Sequence, residues 1–164
     1  MRLTHYSNDP FDLNPDYPYL QPNPHFLRKP SGLWVSVDEA EYGWPEFCKD
    51  EFHWPTLENP KKYELIDKSN VIIIENTHDL LQFQKVYQAK YGHSEHPLWF
   101  EPAVDWPRVA KEADGIIVNP YERYFDAPLP WHSRWDCSSG CIWNLSVLKE
   151  ITDDSRLLVD SARS

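Results

Sequence analysis

The sequence predicts a single α+β domain. Three observations carry that prediction: 164 residues of which 41% are apolar, short β-branched runs bounded by turn residues, and helical stretches that do not alternate strictly with the strands. A chain of this size and composition buries enough apolar surface to fold without a metal or disulfides. One domain is therefore assigned to residues 1–164, with residues 146–164 read as a C-terminal helix and tail.

The elements follow in order. Residues 2–6 form a short first strand. Residues 8–30 hold six prolines, which remove backbone donors and block ladder pairing, so an extended loop is expected there. Residues 32–37, Gly-Leu-Trp-Val-Ser-Val, read as a second strand. Asp38, with Glu41 three residues on, resembles a helix cap, with a break at residues 43–45 before helix resumes through residue 52. Asn-Val-Ile-Ile-Ile-Glu at 70–75 is the clearest buried strand. Residues 80–91 then place Leu80, Phe83, Val86, Tyr87 and Tyr91 on one helical face. Asp105 caps a short helix carrying Val109, Ala110 and Ala113, and Asp114-Gly115 turns into a strand at 116–118. An aromatic, proline-rich loop spans 119–135, and a last strand is expected at 141–145.

Composition narrows function. A formal net charge of −10 repels phosphate backbones and argues against simple DNA or RNA binding, though not against an enzyme that uses one nucleotide. No apolar run approaches the roughly 20 residues a membrane helix needs, and the first residues lack a secretory leader's apolar stretch, so a cytoplasmic protein is expected. Three cysteines are an odd number, and Cys137 and Cys141 lack a second pair for a tetrahedral zinc site, so they are read as reduced thiols. Eight Trp and nine Tyr supply flat faces with a polar handle, suited to a core and equally to holding a ligand ring.

Single motifs are weak. His5, beside Tyr6 and Ser7, also reads as an ordinary hydrogen-bonded strand residue. His93-Ser-Glu-His96 lacks the i, i+4 spacing of a helical zinc pair, and no metal is assigned. Glu39-Ala-Glu41 reads as capping charge. Ser-Ser-Gly at 138–140 has no nucleophile elbow around it. No glycine-rich phosphate loop is present, which argues against Rossmann and P-loop sites.

The order of motifs is more informative. A His in a short N-terminal strand, the Gly-Leu-Trp-Val-Ser strand, the aromatic residues Tyr42 and Trp44, the Gly-Ile-Ile-Val strand and the late Trp-Asp-Cys-Ser-Ser-Gly-Cys-Ile-Trp segment together resemble the diphtheria-toxin-like ADP-ribosyltransferases, in particular small bacterial and phage members. The resemblance covers residues 3–7, 29–48 and 105–145. It implies a split pair of small antiparallel sheets with short flanking helices, holding NAD as co-substrate between them. It further implies His5, with Tyr6 and Ser7, near the adenosine ribose; Trp34, Ser36 and either Tyr42 or Trp44 as the nicotinamide wall; and a late carboxylate at the nicotinamide ribose. The usual glutamate of the final strand is missing, so Asp136, one methylene shorter, takes that place, with Glu122 as the second choice.

The activity implied is transfer of ADP-ribose to a macromolecular acceptor with release of nicotinamide, in a toxin or in phage–bacteria conflict. The acidic charge favours a protein acceptor with a basic patch over a nucleic acid. Two alternatives stand beside it: an NAD glycohydrolase using water as acceptor, and a non-catalytic interaction module, such as an inhibitor, binding through exposed Trp and Tyr.

Overall fold

The structure, a computed structural model, describes residues 1–24, 28–51, 57–66, 69–89, 103–121 and 129–152. Its strands are β1 (Arg2–His5), β2 (Leu33–Val37), β3 (Lys61–Leu65), β4 (Val71–Ile74), β5 (Gly115–Val118), β6 (Ser139–Ile142) and β7 (Leu148–Glu150). Its helices are α1 (Trp44–Asp50), α2 (Thr77–Tyr87) and α3 (Trp106–Glu112). The α+β class holds.

All seven strands join one sheet in the order β4-β5-β6-β2-β1-β3-β7. The pair of small antiparallel sheets expected from the resemblance is thus a single mixed sheet. Its one parallel pair is β4 with β5, separated in sequence by α2 and α3; every other pairing is antiparallel. Continuity runs through β6, which pairs β2 on one side and β5 on the other. Gly140 makes that position possible, because a Cβ there would lie 2.5 Å from Ile117 Cγ1 and 2.9 Å from the Ile116 carbonyl oxygen. Gly140 is thus a strand residue suited to close approach, and the expected strand at 141–145 lies instead at Ser139–Ile142.

Four further boundaries differ from expectation. Asp38 does not cap a helix: its carboxylate accepts a hydrogen bond from the Thr4 hydroxyl at 2.7 Å, and α1 starts at Trp44, where Pro45 is tolerated in the first turn. Glu39 and Glu41 are exposed turn residues. Helix α2 begins before residue 80 because Asn76 caps it, accepting from the Asp79 amide at 3.0 Å. It ends at Tyr87, after which the chain bridges Gln88 to Val104. Instead of a C-terminal helix from 146, a 3-10 turn at Leu145–Val147 leads into β7; residues 153–164 lie outside the described residues.

Strands β3 and β7 have no counterpart in the sequence reading. In Lys-Lys-Tyr-Glu-Leu, Tyr63 alone is buried, so the strand offers almost none of the apolar signal on which sequence reading depends.

The two sheet faces carry separate cores. Ile74, Leu80, Phe83, Trp106, Val109, Ile116, Trp131 and Trp135 pack together under α2 and α3. Leu3, Leu33, Val35, Val37, Tyr63, Ile117 and Ile142 fill the opposite face. There the proline-rich segment helps cover them through Phe11 and Leu13. Asp105 caps α3 as expected, accepting from the Arg108 amide at 3.1 Å.

Candidate functional site

Register places a polar row across the middle of the sheet. Thr4 of β1 lies opposite Ser36 of β2, and Ser36 lies opposite Ser139 of β6. Residues paired across antiparallel strands share a face, so three small hydroxyl side chains floor one surface. Over them opens a cleft of about 330 Å3, walled by His5, Tyr6, Trp34, Trp44, Lys29, Asp136 and Cys137. That volume lies in the range of small-molecule sites, roughly 300–1,000 Å3.

Several wall residues are held by specific contacts. His5 Nδ1 is 2.7 Å from the Trp34 carbonyl oxygen. A carbonyl only accepts, so the proton sits on Nδ1 and Nε2 is left as an acceptor. Burial lowers the His5 pKa, the hydrogen bond to Trp34 opposing it, and the ring is thus biased towards the neutral form. Phe11 meets the His5 ring edge-on at 4.9 Å. Trp34 packs on Trp135 with centroids 4.7 Å apart. Trp44 is set by Ser36, whose hydroxyl accepts from the Trp44 amide at 2.9 Å, while Glu46 accepts from the Gly43 amide at 2.9 Å. Gly43 is required here, since a Cβ would fall 2.7 Å from Ser36 Oγ. Ser36 therefore caps α1 from a neighbouring strand and carries Trp44 to the cleft.

Asp136 follows Trp135 just ahead of β6 and pairs with Lys29 at 3.4 Å; the Lys29 ammonium also lies over the Trp34 ring, 5.0 Å from its centroid. The Tyr6 phenol pKa is raised, first by burial and then by the carboxylates of Asp38 and Glu46. Those two carboxylates border a second hollow of about 220 Å3 that shares Thr4, Tyr6 and Ser36 with the main cleft.

Of the positions singled out in the sequence, His5, Tyr6, Trp34, Ser36, Trp44 and Asp136 line this one cleft. Ser7 does not: its hydroxyl donates to the Asp9 carbonyl. Tyr42 is also outside the lining, its carbonyl accepting from the Ser138 amide at 2.8 Å. Glu122 and the His93–His96 motif lie outside the described residues. Thr4, Lys29, Cys137 and Ser139 join the cleft unforeseen. Thr4 and Ser139 become visible only through strand register, which no local pattern encodes, and Lys29 is one cation in a proline-rich loop.

The remaining reactive groups are disarmed by their surroundings. Burial pushes the Cys137 thiol up to about 12, too high for a thiolate nucleophile at neutral pH. Ser139 donates to the Cys137 carbonyl at 3.0 Å, and Ser138 accepts from the Tyr121 amide at 2.9 Å. Among the described residues no group of three or more His, Cys, Asp or Glu is arranged to hold a metal ion, and no helix is long and apolar enough to cross a membrane.

Tryptophan placement separates core from site. Among the described residues Trp106, Trp131, Trp135 and Trp143 are buried, and the two half-buried indoles, Trp34 and Trp44, both line the cleft. Tyr17 is the one Phe, Trp or Tyr among the described residues that is exposed.

No protein-family model, curated protein or solved structure matches the chain. What the described residues define is an α+β protein with an aromatic-walled, ligand-sized cleft over the middle strands of its sheet.

Proposed function

We propose that this cleft binds NAD and that the protein transfers ADP-ribose from it to a macromolecular acceptor, releasing nicotinamide. The observation that supports this reading is the convergence of His5, Tyr6, Trp34, Ser36, Trp44 and Asp136, drawn from separate stretches of chain, on one cleft of small-molecule size.

The chemistry suits such a wall. Breaking the bond between ribose and a cationic nicotinamide ring expels a neutral leaving group, so no proton donor is needed. A carboxylate that accepts from the ribose 2′-hydroxyl and faces the positive charge developing at the sugar carbon is sufficient. Asp136, just ahead of β6, is the carboxylate among the residues lining the cleft. Half-buried Trp34 and Trp44 offer faces to the departing ring, and His5, with its proton fixed on Nδ1, offers Nε2 to a sugar hydroxyl. Ser36 acts indirectly, by holding Trp44.

Incubation with NAD, alone and with a cell lysate, tests the proposal by release of nicotinamide and by label retained on macromolecules. Asp136→Ala is expected to slow release about a hundredfold. Free ADP-ribose without labelled macromolecule would make the protein a glycohydrolase. Absence of both NAD binding and nicotinamide release would overturn the reading. Among the described residues the tryptophans lie in the core or line the cleft, which lends the interaction-module alternative little support.

A further inference from the structure

The corner of the cleft formed by Trp34 and Asp136 already holds a positive charge. The Lys29 ammonium is 3.4 Å from Asp136 Oδ2 and 5.0 Å over the Trp34 ring. Ring and carboxylate attract a cation for different reasons, one through its quadrupole and the other through its formal charge, and the two converge on the same point. We propose that Lys29 is an internal occupant of a cation site, that a flat organic cation such as an N-alkylpyridinium competes with it for Trp34 and Asp136, and that Lys29 thereby sets how strongly the cleft prefers cationic to neutral rings.

The backbone around Lys29 supports this role. Gln21 grips Ser31 twice, donating to its carbonyl at 2.7 Å and accepting from its amide at 3.0 Å. The Arg28 carbonyl accepts from Trp106 Nε1 at 2.9 Å, and the Pro30 carbonyl from the Cys141 thiol at 3.7 Å. The chain on both sides of Lys29 is therefore anchored to the core, and its ammonium is delivered to one place by an anchored backbone. Only the stem is free to swing. The contacts it must give up are weak ones: the lysine and aspartate side chains are 33% and 45% exposed, and at such exposure neither an ion pair nor a cation–ring contact holds strongly. A ligand cation carrying its own ring area against Trp34 outcompetes a compact ammonium there.

The inference rests on the cleft being a ligand site, as in the reading above, and not on any bond being broken in it. It is tested with two probes of one shape, 1-methylnicotinamide, a permanent pyridinium cation, and neutral nicotinamide, titrated by calorimetry. Lys29→Ala should tighten the cation about tenfold and leave the neutral ring unchanged. Lys29→Arg should behave as wild type, and Lys29→Met, which keeps the stem, should reproduce the alanine result. Asp136→Asn should remove the difference between the two probes. A Lys29→Met protein whose affinity for the cation falls, or whose selectivity is unchanged, overturns the inference, as does failure of wild type to bind either probe. NAD cleavage measured in parallel keeps the two proposals apart. Cleavage with unchanged selectivity sinks this one alone, and altered selectivity without cleavage sinks the transferase reading alone.

Discussion

One face of the sheet changes character from one end to the other. At the β4–β5 end, Ile74, Ile116 and Val118 lie under α2 and α3 with Trp106, Trp131 and Trp135. From the next strand onward the same register row passes from Val118 to Ser139, Ser36 and Thr4, and a cleft takes the place of the helical cover. A row continued in Val or Ile would call for apolar cover. Small hydroxyls satisfied by their own neighbours, as Ser36 is by the Trp44 amide and Thr4 by Asp38, tolerate a wet roof. The helical end is built to be stable and the hydroxyl end to be open.

Substitutions on the two sides sharpen that contrast. Trp131→Ala should cost about 3–5 kcal/mol in urea unfolding, because Trp131 is fully buried and donates to Gln84 Oε1 at 2.7 Å. Half-buried Trp34→Ala should cost no more than about 2 kcal/mol while abolishing ligand binding. Equal destabilisation by the two would break the comparison.

Acid should act first on the helical side. Burial lowers the His132 pKa to about 4, below the unfolded value near 6.5. The unfolded chain therefore binds the extra proton between those values, and stability rises with pH there. The contribution is complete above about pH 6.5 and is lost as pH falls towards 4, a change of up to about 3 kcal/mol. Burial lowers His5 as well, with the same sign. Unfolding curves at pH 7.5 and 4.5 should show a loss that His132→Phe reduces; an identical loss in that variant would remove His132 as the cause.

Asp136→Ala should separate function from stability, slowing nicotinamide release about a hundredfold with less than about 1 kcal/mol change in unfolding, because the ion pair it breaks is half-exposed. The smallest effect is expected for Ser36→Ala, about 1 kcal/mol through the lost cap on α1, with weaker ligand binding because Trp44 is no longer held. Calorimetry of ligand binding beside the unfolding curve distinguishes that indirect effect from a direct one.

The sequence was most legible where apolar periodicity was strong. Val71–Ile74, Gly115–Val118 and Leu33–Val37 are strands as read, and Asp105 caps its helix. It was least legible where partners decide. Lys61–Leu65 is a strand because Met1 through His5 lies beside it, not because of its own residues. Gly140 has no local signal for a strand; its role shows only in Ile117 Cγ1 lying 2.5 Å from where its Cβ would be. At the cleft, His5, Trp34 and Trp44 were expected only through the order of motifs that resembles the ADP-ribosyltransferases, whereas Thr4 and Ser139 depend on register alone. Lys29 is placed by the two hydrogen bonds between nearby Ser31 and Gln21, ten positions earlier in the sequence, which no local pattern encodes.

The three free cysteines have a practical consequence. Cys48, Cys137 and Cys141 are all buried, and burial raises all three thiol pKa values, so the native chain presents a quiet background to maleimides and alkylating reagents. A single Glu41→Cys change on the exposed turn before Trp44 would then accept a fluorophore at one defined address, and the protein could report its own cleft occupancy by energy transfer from the neighbouring indoles.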